Sequence, residues 1–427
     1  MTTLNRKTPP VFRDIQEIKF PKITIEKLDN GIPVYLLNGG TQEVVKLDVM
    51  AHAGSQYSET KLVAPMAGLM LNEGTKTMNA HEIAESFDYY GAYFQPNTEK
   101  DVTFIGLTTL SKHLNHTLPV FTEVLSQSVF PQHELDLLLE RRRQKFLVER
   151  EKTSYLSREA FYEQVFGPTH PYGIMTTEEQ YRTLNRQPLV DFYQKHYHAG
   201  SYSIVLSGKL DSSVLKAVNL YLGQLRKLQK PEPIQPVDFT PISGKPIVIE
   251  RANAVQSSIR TGLLTVNKIH PDYTGLKVLV TIFGGYFGSR LMKNLREDKG
   301  FTYGIHSMQV SFMQAGLTGV AADVNAEHTR EAIDEIIKEM EKLKHEPVSN
   351  EELQLVRNYM MGELLQMFDG PFATADTFKA VVQYGYGFEY FTRLKNTILT
   401  ITPEQLMELA NKYFITEKLT TVVAGKY

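Results

Sequence analysis

The chain contains no cysteine. That absence excludes disulfides, thiolate metal sites and a cysteine nucleophile at once. It leaves the redox compartment open, since a chain without thiols is safe anywhere. A surplus of one charge is missing too. Lys and Arg total 46 against 48 Asp and Glu, which gives no reason to expect nucleic acid or an anionic membrane as a partner. No apolar run is long enough to span a bilayer: the longest, GLKVLVTIFGGYFG, carries Lys277, whereas a spanning helix needs about 20 apolar residues. The first twenty residues, MTTLNRKTPPVFRDIQEIKF, have no apolar segment of the secretory type. The expected location is the cytoplasm, or the periplasm if a leader was removed.

A more local absence lies in KLVAPMAGLMLNEGTK, residues 61–76. Its proline, apolar run and closing glycine predict a short helix with definite ends, yet between Lys61 and Glu73 there is no ionisable side chain.

What is present is ordinary for a globular protein: 42% hydrophobic and 22% charged residues. At 427 residues the chain exceeds one ordinary core and is expected to form two domains of about 200 residues. It also repeats itself once. DFYQKHYHAGSYSIVLSGKL (191–210) returns as ELANKYFITEKLTTVVAGKY (408–427), and HELDLLLERRRQKFLVERE (133–151) returns as NEELQLVRNYMMGELLQMF (350–368). VVKLDVMAHAG (44–54) has its counterpart in SSIRTGLLTV (257–266). A repeat one domain long means duplication of a domain, not a solenoid. Prolines 231, 233, 236, 241 and 246 mark an extended, stiff linker. The expected organisation is an N-terminal arm (1–24), a first domain (25–222), the linker (223–246) and a second domain (247–427). FIGLTTL (104–110) and GLTGVAADV (316–324) alternate as half-buried strands do. Thr176 with Glu179 and Ser349 with Glu352 fit capping boxes, and Thr402-Pro403 with Gln405 adds proline in the first turn. Strands interrupted by runs of helices predict an α+β fold, a sheet with packed helices, made twice.

AHAGSQYSE…APMAGLMLNEGTKTMNAHEIAESFDYYGAYF and FGGYFGSRLMKNLREDKGFTYGIHS (283–307) resemble the inverted-zincin peptidases, the family of pitrilysin, insulinase and the mitochondrial processing peptidase. The likeness runs from about residue 25 to the end of the chain. Active members carry H-x-x-E-H on a first-domain helix, two histidines for zinc and a glutamate that activates water, with a further glutamate on a later helix. The resemblance places those four positions on Pro65, Gly68, Leu69 and Leu147. None has a lone pair for zinc or can act as a base, whereas a catalytic zinc needs three protein ligands. H-x-x-E-H occurs nowhere in the chain in either direction. No cofactor is therefore expected in this chain, and zinc is expected in a partner.

The resemblance also implies roles for Arg296 and Tyr303. In the family, an arginine and a tyrosine at this spacing in the second domain reach the zinc site of the first domain or of a partner, holding the substrate backbone and stabilising the oxyanion. The residue types suit that chemistry: a guanidinium is permanently charged and forked, and a phenol is a neutral donor that can meet developing charge. The plain alternative is an exposed helix-end arginine and a core or strand tyrosine. Gly284, Gly285 and Gly288 either admit substrate backbone or loosen a helix end for packing. The bacterial-type pairing implied is a zinc-free subunit joined to a paralogue that bears H-x-x-E-H, acting on extended peptides. The alternatives are a non-enzymatic scaffold subunit and a peptide-binding homodimer. His81 with Glu85, His113 with His116, and His196 with His198 have spacings compatible with metal, though structural roles are the simpler reading. The charged run 140–152 reads as a solvated helix face, and DYYGAYF (88–94) as an aromatic turn into a strand.

Overall fold

A computed structural model describes residue 15, residues 17–229 and residues 240–427. Most of the expected N-terminal arm and residues 230–239 of the expected linker lie outside the described residues. The strands are β1 (Thr24–Lys27), β2 (Pro33–Asn38), β3 (Val44–Ala51), β4 (Tyr93–Thr98), β5 (Thr103–Leu110), β6 (Tyr202–Gly208), β7 (Ile247–Glu250), β8 (Gln256–Thr265), β9 (Thr302–Ser311), β10 (Gly316–Asn325) and β11 (Thr420–Gly425). They form two sheets, in the orders β1-β2-β6-β3-β5-β4 and β7-β11-β8-β10-β9. β2 runs parallel to β6, and β7 parallel to β11. Every other pair is antiparallel. With β1 set aside the two sheets have one topology, so the duplication read in the sequence is a duplication of architecture.

Fourteen α-helices accompany the sheets among the described residues. In the first half they are α1 (Val63–Leu69), α2 (Ala80–Asp88), α3 (Leu114–Gln127), α4 (Gln132–Glu149), α5 (Thr153–Phe166), α6 (Glu178–Thr183), α7 (Arg186–His196) and α8 (Ser212–Leu222). In the second half they are α9 (Tyr273–Val280), α10 (Thr329–His345), α11 (Asn350–Gln366), α12 (Gly370–Val382), α13 (Glu389–Thr400) and α14 (Pro403–Tyr413). Their starts follow local chemistry. Thr402 and Gln405 form the expected box, each side chain bonded to the other's backbone N–H at 3.0 and 3.3 Å. The box expected at Thr176 sits one residue later, on Thr177 and Gln180. Ser349 caps the Glu352 N–H at 3.1 Å, but the Glu352 carboxylate turns away to a two-pronged pair with Arg290 at 2.8 and 2.9 Å. A charged guanidinium outcompetes a neutral backbone donor for a carboxylate.

β5 alternates buried and half-buried residues as its sequence predicts. β10 does not: Gly316 to Ala322 are all buried. The covering comes from the other half. Helix α5, from the first half, lies on the second sheet. Gly262 of β8 stands opposite Gly319 of β10, and this glycine pair leaves a dent into which the Phe161 ring fits. A Cβ on Gly262 would come within 3.1 Å of that ring, and one on Gly319 within 3.7 Å. The exchange is reciprocal. Helix α12, from the second half, lies across β6 and β2 of the first sheet, with Phe378 against Tyr35 at 5.0 Å between ring centroids.

Two further contacts tie the halves together. Lys379 of α12 pairs with Asp48 of β3 at 2.9 Å and with Asp376 at 2.8 Å, and Lys46 reaches Asp376 at 2.8 Å. Asp101, in the β4–β5 turn, accepts from the Tyr172 hydroxyl at 2.5 Å and from the Met313 N–H of the β9–β10 turn at 2.9 Å. Burial pushes the Asp101 carboxyl up while those two donors pull it down. Among the described residues no helix is long and apolar enough to cross a membrane.

Candidate functional site

The segment without ionisable groups folds as the buried helix α1. It spans seven residues and ends before Gly74, sooner than the sequence suggested. Gly68 is fully buried in it. A Cβ there would lie 2.7 Å from the Thr98 hydroxyl oxygen and 3.6 Å from the Tyr197 hydroxyl. Thr98 is itself held by the Thr103 hydroxyl at 3.1 Å. At the position that the resemblance gives to the catalytic base, a side chain would therefore have to displace the Thr98 hydroxyl. Pro65 and Leu69 are half-buried on the same helix, and Leu147 is half-buried on α4. These side chains do not fit zinc, and among the described residues no group of three or more His, Asp or Glu could hold a metal ion.

The histidines have other partners. His196 is buried, its Nδ1 2.9 Å from the His52 carbonyl, and it packs on Phe192 at 4.5 Å. Burial pushes its imidazole down to about 4. Nε2 of His198 approaches the Lys195 carbonyl at 3.1 Å. His113 and His116 both face the Tyr90 ring. His81 and Glu85 form a loose, exposed pair at 3.9 Å. In the charged run, Arg143 bonds Glu140 and also reaches Glu178 of α6 at 2.9 Å, so part of that face docks a neighbouring helix.

The second half places the remaining candidates around one edge. After α9 the chain continues as π-helix over Thr281–Gly285, and a second π-helical stretch covers Met292–Asp298. The wider repeat is visible in the Lys299 N–H bonded to the Asn294 carbonyl at 3.1 Å. Such segments are rare and concentrate at functional sites. Arg296 belongs to the second of them, and its guanidinium lies over the Phe287 ring at 4.7 Å. Phe287 is 62% exposed, its ring covered on one face by that guanidinium. Tyr303, near the start of edge strand β9, is 87% exposed. Gly284 packs against β9, where a Cβ would come within 2.8 Å of the Ser307 nitrogen. Gly284, Gly285 and Phe287 line a cavity of about 390 Å³ with Gly304 and His306. Sequence reasoning did not single out Phe287, although its place three residues after Gly284 and its exposed ring make it the support on which Arg296 rests.

Known proteins resemble the chain in the same two-part way. A family model described as Insulinase (Peptidase family M16) matches residues 34–169, and one described as Peptidase M16 inactive domain matches residues 183–360. The chain belongs to peptidase family M16. A Bacillus subtilis protein named as an uncharacterized zinc protease is 25% identical over 349 residues, covering 79% of this chain and 82% of that protein. The mitochondrial-processing peptidase subunit beta of Caenorhabditis elegans is 21% identical over 428 residues, covering 95% and 90%. The crystal structure of a peptidase M16 inactive domain from Pseudomonas fluorescens superposes with a TM-score of 0.86 at 24% identity, covering 95% of this chain and 98% of that one. As a member of family M16, this chain has the family's fold of two sheet-and-helix domains.

Proposed function

We propose that this chain is the zinc-free subunit of a two-subunit metallopeptidase. A paralogue bearing H-x-x-E-H supplies the metal, and this chain supplies Arg296 and Tyr303. The observation that carries the reading is the mismatch within one molecule. The positions that the resemblance gives to zinc are apolar and crowded at Gly68, while a guanidinium stacked on an exposed ring and an exposed phenol stand at the edge of the second sheet. In the assembled enzyme Arg296 holds the backbone carbonyl of an extended peptide, and the Tyr303 hydroxyl donates to the oxygen that gains charge as water adds to the scissile carbonyl. Donors aimed at developing charge each contribute about 2.7–4 kcal/mol of transition-state stabilisation.

The first test is native mass spectrometry of the complex recovered through this chain. A stoichiometric companion with H-x-x-E-H is expected. The reconstituted pair should hydrolyse unfolded peptides, and either Arg296→Ala or Tyr303→Phe should lower kcat about a hundredfold or more with melting temperature unchanged. Full turnover by both variants would remove these residues from the mechanism. Recovery of the chain alone or within an assembly lacking such a companion would favour the homodimer or scaffold reading.

A further inference from the structure

The cavity lined by Gly284, Phe287 and Gly304 has a charged wall for which the proposed peptidase role has no use. On the sheet, Arg260 of β8 stands opposite Ala321 of β10, which in turn stands opposite His306 of β9. A methyl group between two long side chains leaves a slot, and all three residues line the cavity. Gly304 widens it: a Cβ at that position would meet nothing within 4 Å. Phe287, which supports Arg296, forms part of the rim, and Tyr303 adjoins Gly304 in the chain.

Arg260 is half-buried, and its one side-chain hydrogen bond among the described residues goes from Nη1 to the neighbouring Ile259 carbonyl at 3.0 Å. It has no ion pair among the described residues. Burial pulls the guanidinium below its usual range, with the Arg158 charge adding to that and the Asp323 carboxylate opposing it. His306 is held down by burial and by Arg260. Asp323, the one carboxylate lining the cavity, accepts from the Ser258 hydroxyl and does not pair with Arg260. A partly desolvated guanidinium with free donors is a forked receptor for a carboxylate.

We infer that this cavity is a side-chain subsite for an acidic residue of the bound peptide, with Arg260 as its receptor and Gly304 leaving room for the side chain. The inference rests on the proposed peptide-binding role of this edge, and its test separates the two. Fluorescein-labelled peptides of one extended sequence, with Glu, Gln or Lys placed in turn at each central position, are titrated against the full chain by anisotropy. Glu at one position should bind about tenfold tighter than Gln there. The advantage should vanish in Arg260→Gln and in Gly304→Leu, which fills the slot from an open position, and Arg260→Glu should transfer it to Lys. Absence of binding, equal binding of the three peptides, or a Glu advantage that survives Arg260→Gln and Gly304→Leu overturns the subsite. Hydrolysis of the same peptides by the reconstituted pair is measured separately. Charge-selective binding without hydrolysis keeps the subsite and removes the split-enzyme reading.

Discussion

Single residues in this protein are informative where burial and charge conflict. His196 is 1% exposed, and its neutral imidazole sits against the His52 carbonyl and two aromatic rings. Its value of about 4 lies below the ordinary 6.5, so between these limits the unfolded chain binds a proton that the folded chain does not. Stability from this site is complete above pH 6.5 and is lost as pH falls toward 4. The loss amounts to about 3 kcal/mol at most. Urea denaturation at pH 7, 6 and 5 should show a steeper fall for the wild type than for His196→Gln. Parallel curves would assign the acid sensitivity to other groups. At Gly68 the constraint is steric, since a Cβ would lie 2.7 Å from the Thr98 hydroxyl oxygen. Putting Glu at 68 and His at 65 and 69 would still leave Leu147 where the resemblance puts the further glutamate, and the side chain at 68 would have to displace the Thr98 hydroxyl.

At the scale of elements, the exchange of α5 and α12 governs stability. Phe161 is 4% exposed and seated on a glycine pair of the opposite half, so Phe161→Ala leaves a dent that backbone cannot fill and should cost about 3–5 kcal/mol in chemical denaturation. A loss below about 1 kcal/mol would mean that the ring is dispensable to docking. Lys379 tests the polar side of the same exchange. Its partner Asp48 is almost fully buried, and Lys379→Met would leave that carboxylate with only Lys46 at 3.7 Å. About 3 kcal/mol of destabilisation is expected, the low end of the range for a broken buried pair, and a second change, Asp48→Leu, should recover most of it. If the double variant is no better than the single, the deficit comes from packing of the lysine stem and not from the stranded charge.

For the whole molecule, the reciprocal exchange means that neither half completes its surface alone. The third apolar cluster joins Phe161, Phe166 and Tyr172 of the first half to Phe312, Leu317 and Val422 of the second. Calorimetry should therefore record one cooperative transition and not two. A chain cut at a protease recognition sequence inserted between the halves should still migrate as one particle in size-exclusion chromatography without denaturant. Separation of the fragments after nicking would show that the linker, and not the exchanged helices, holds the halves together.

That Pro65, Gly68, Leu69 and Leu147 carry no donor for a metal is legible in the residue types alone, because donor atoms belong to residue types and no folding can add them. The repeat, the α+β class and the strands at 104–110 and 316–324 are legible there too, since alternation and helix punctuation act within a few residues. GLTGVAADV was misread as half-exposed for an equally plain reason: its second cover is Phe161, far away in the chain. Tertiary packing alone sets α5 and α12 on the opposite halves, crowds Gly68 with the Thr98 hydroxyl, and rests Arg296 on Phe287, which lines a cavity walled by Arg260. These are contacts between segments remote in sequence, fixed by how two duplicated sheets pack together. A local pattern carries no trace of them.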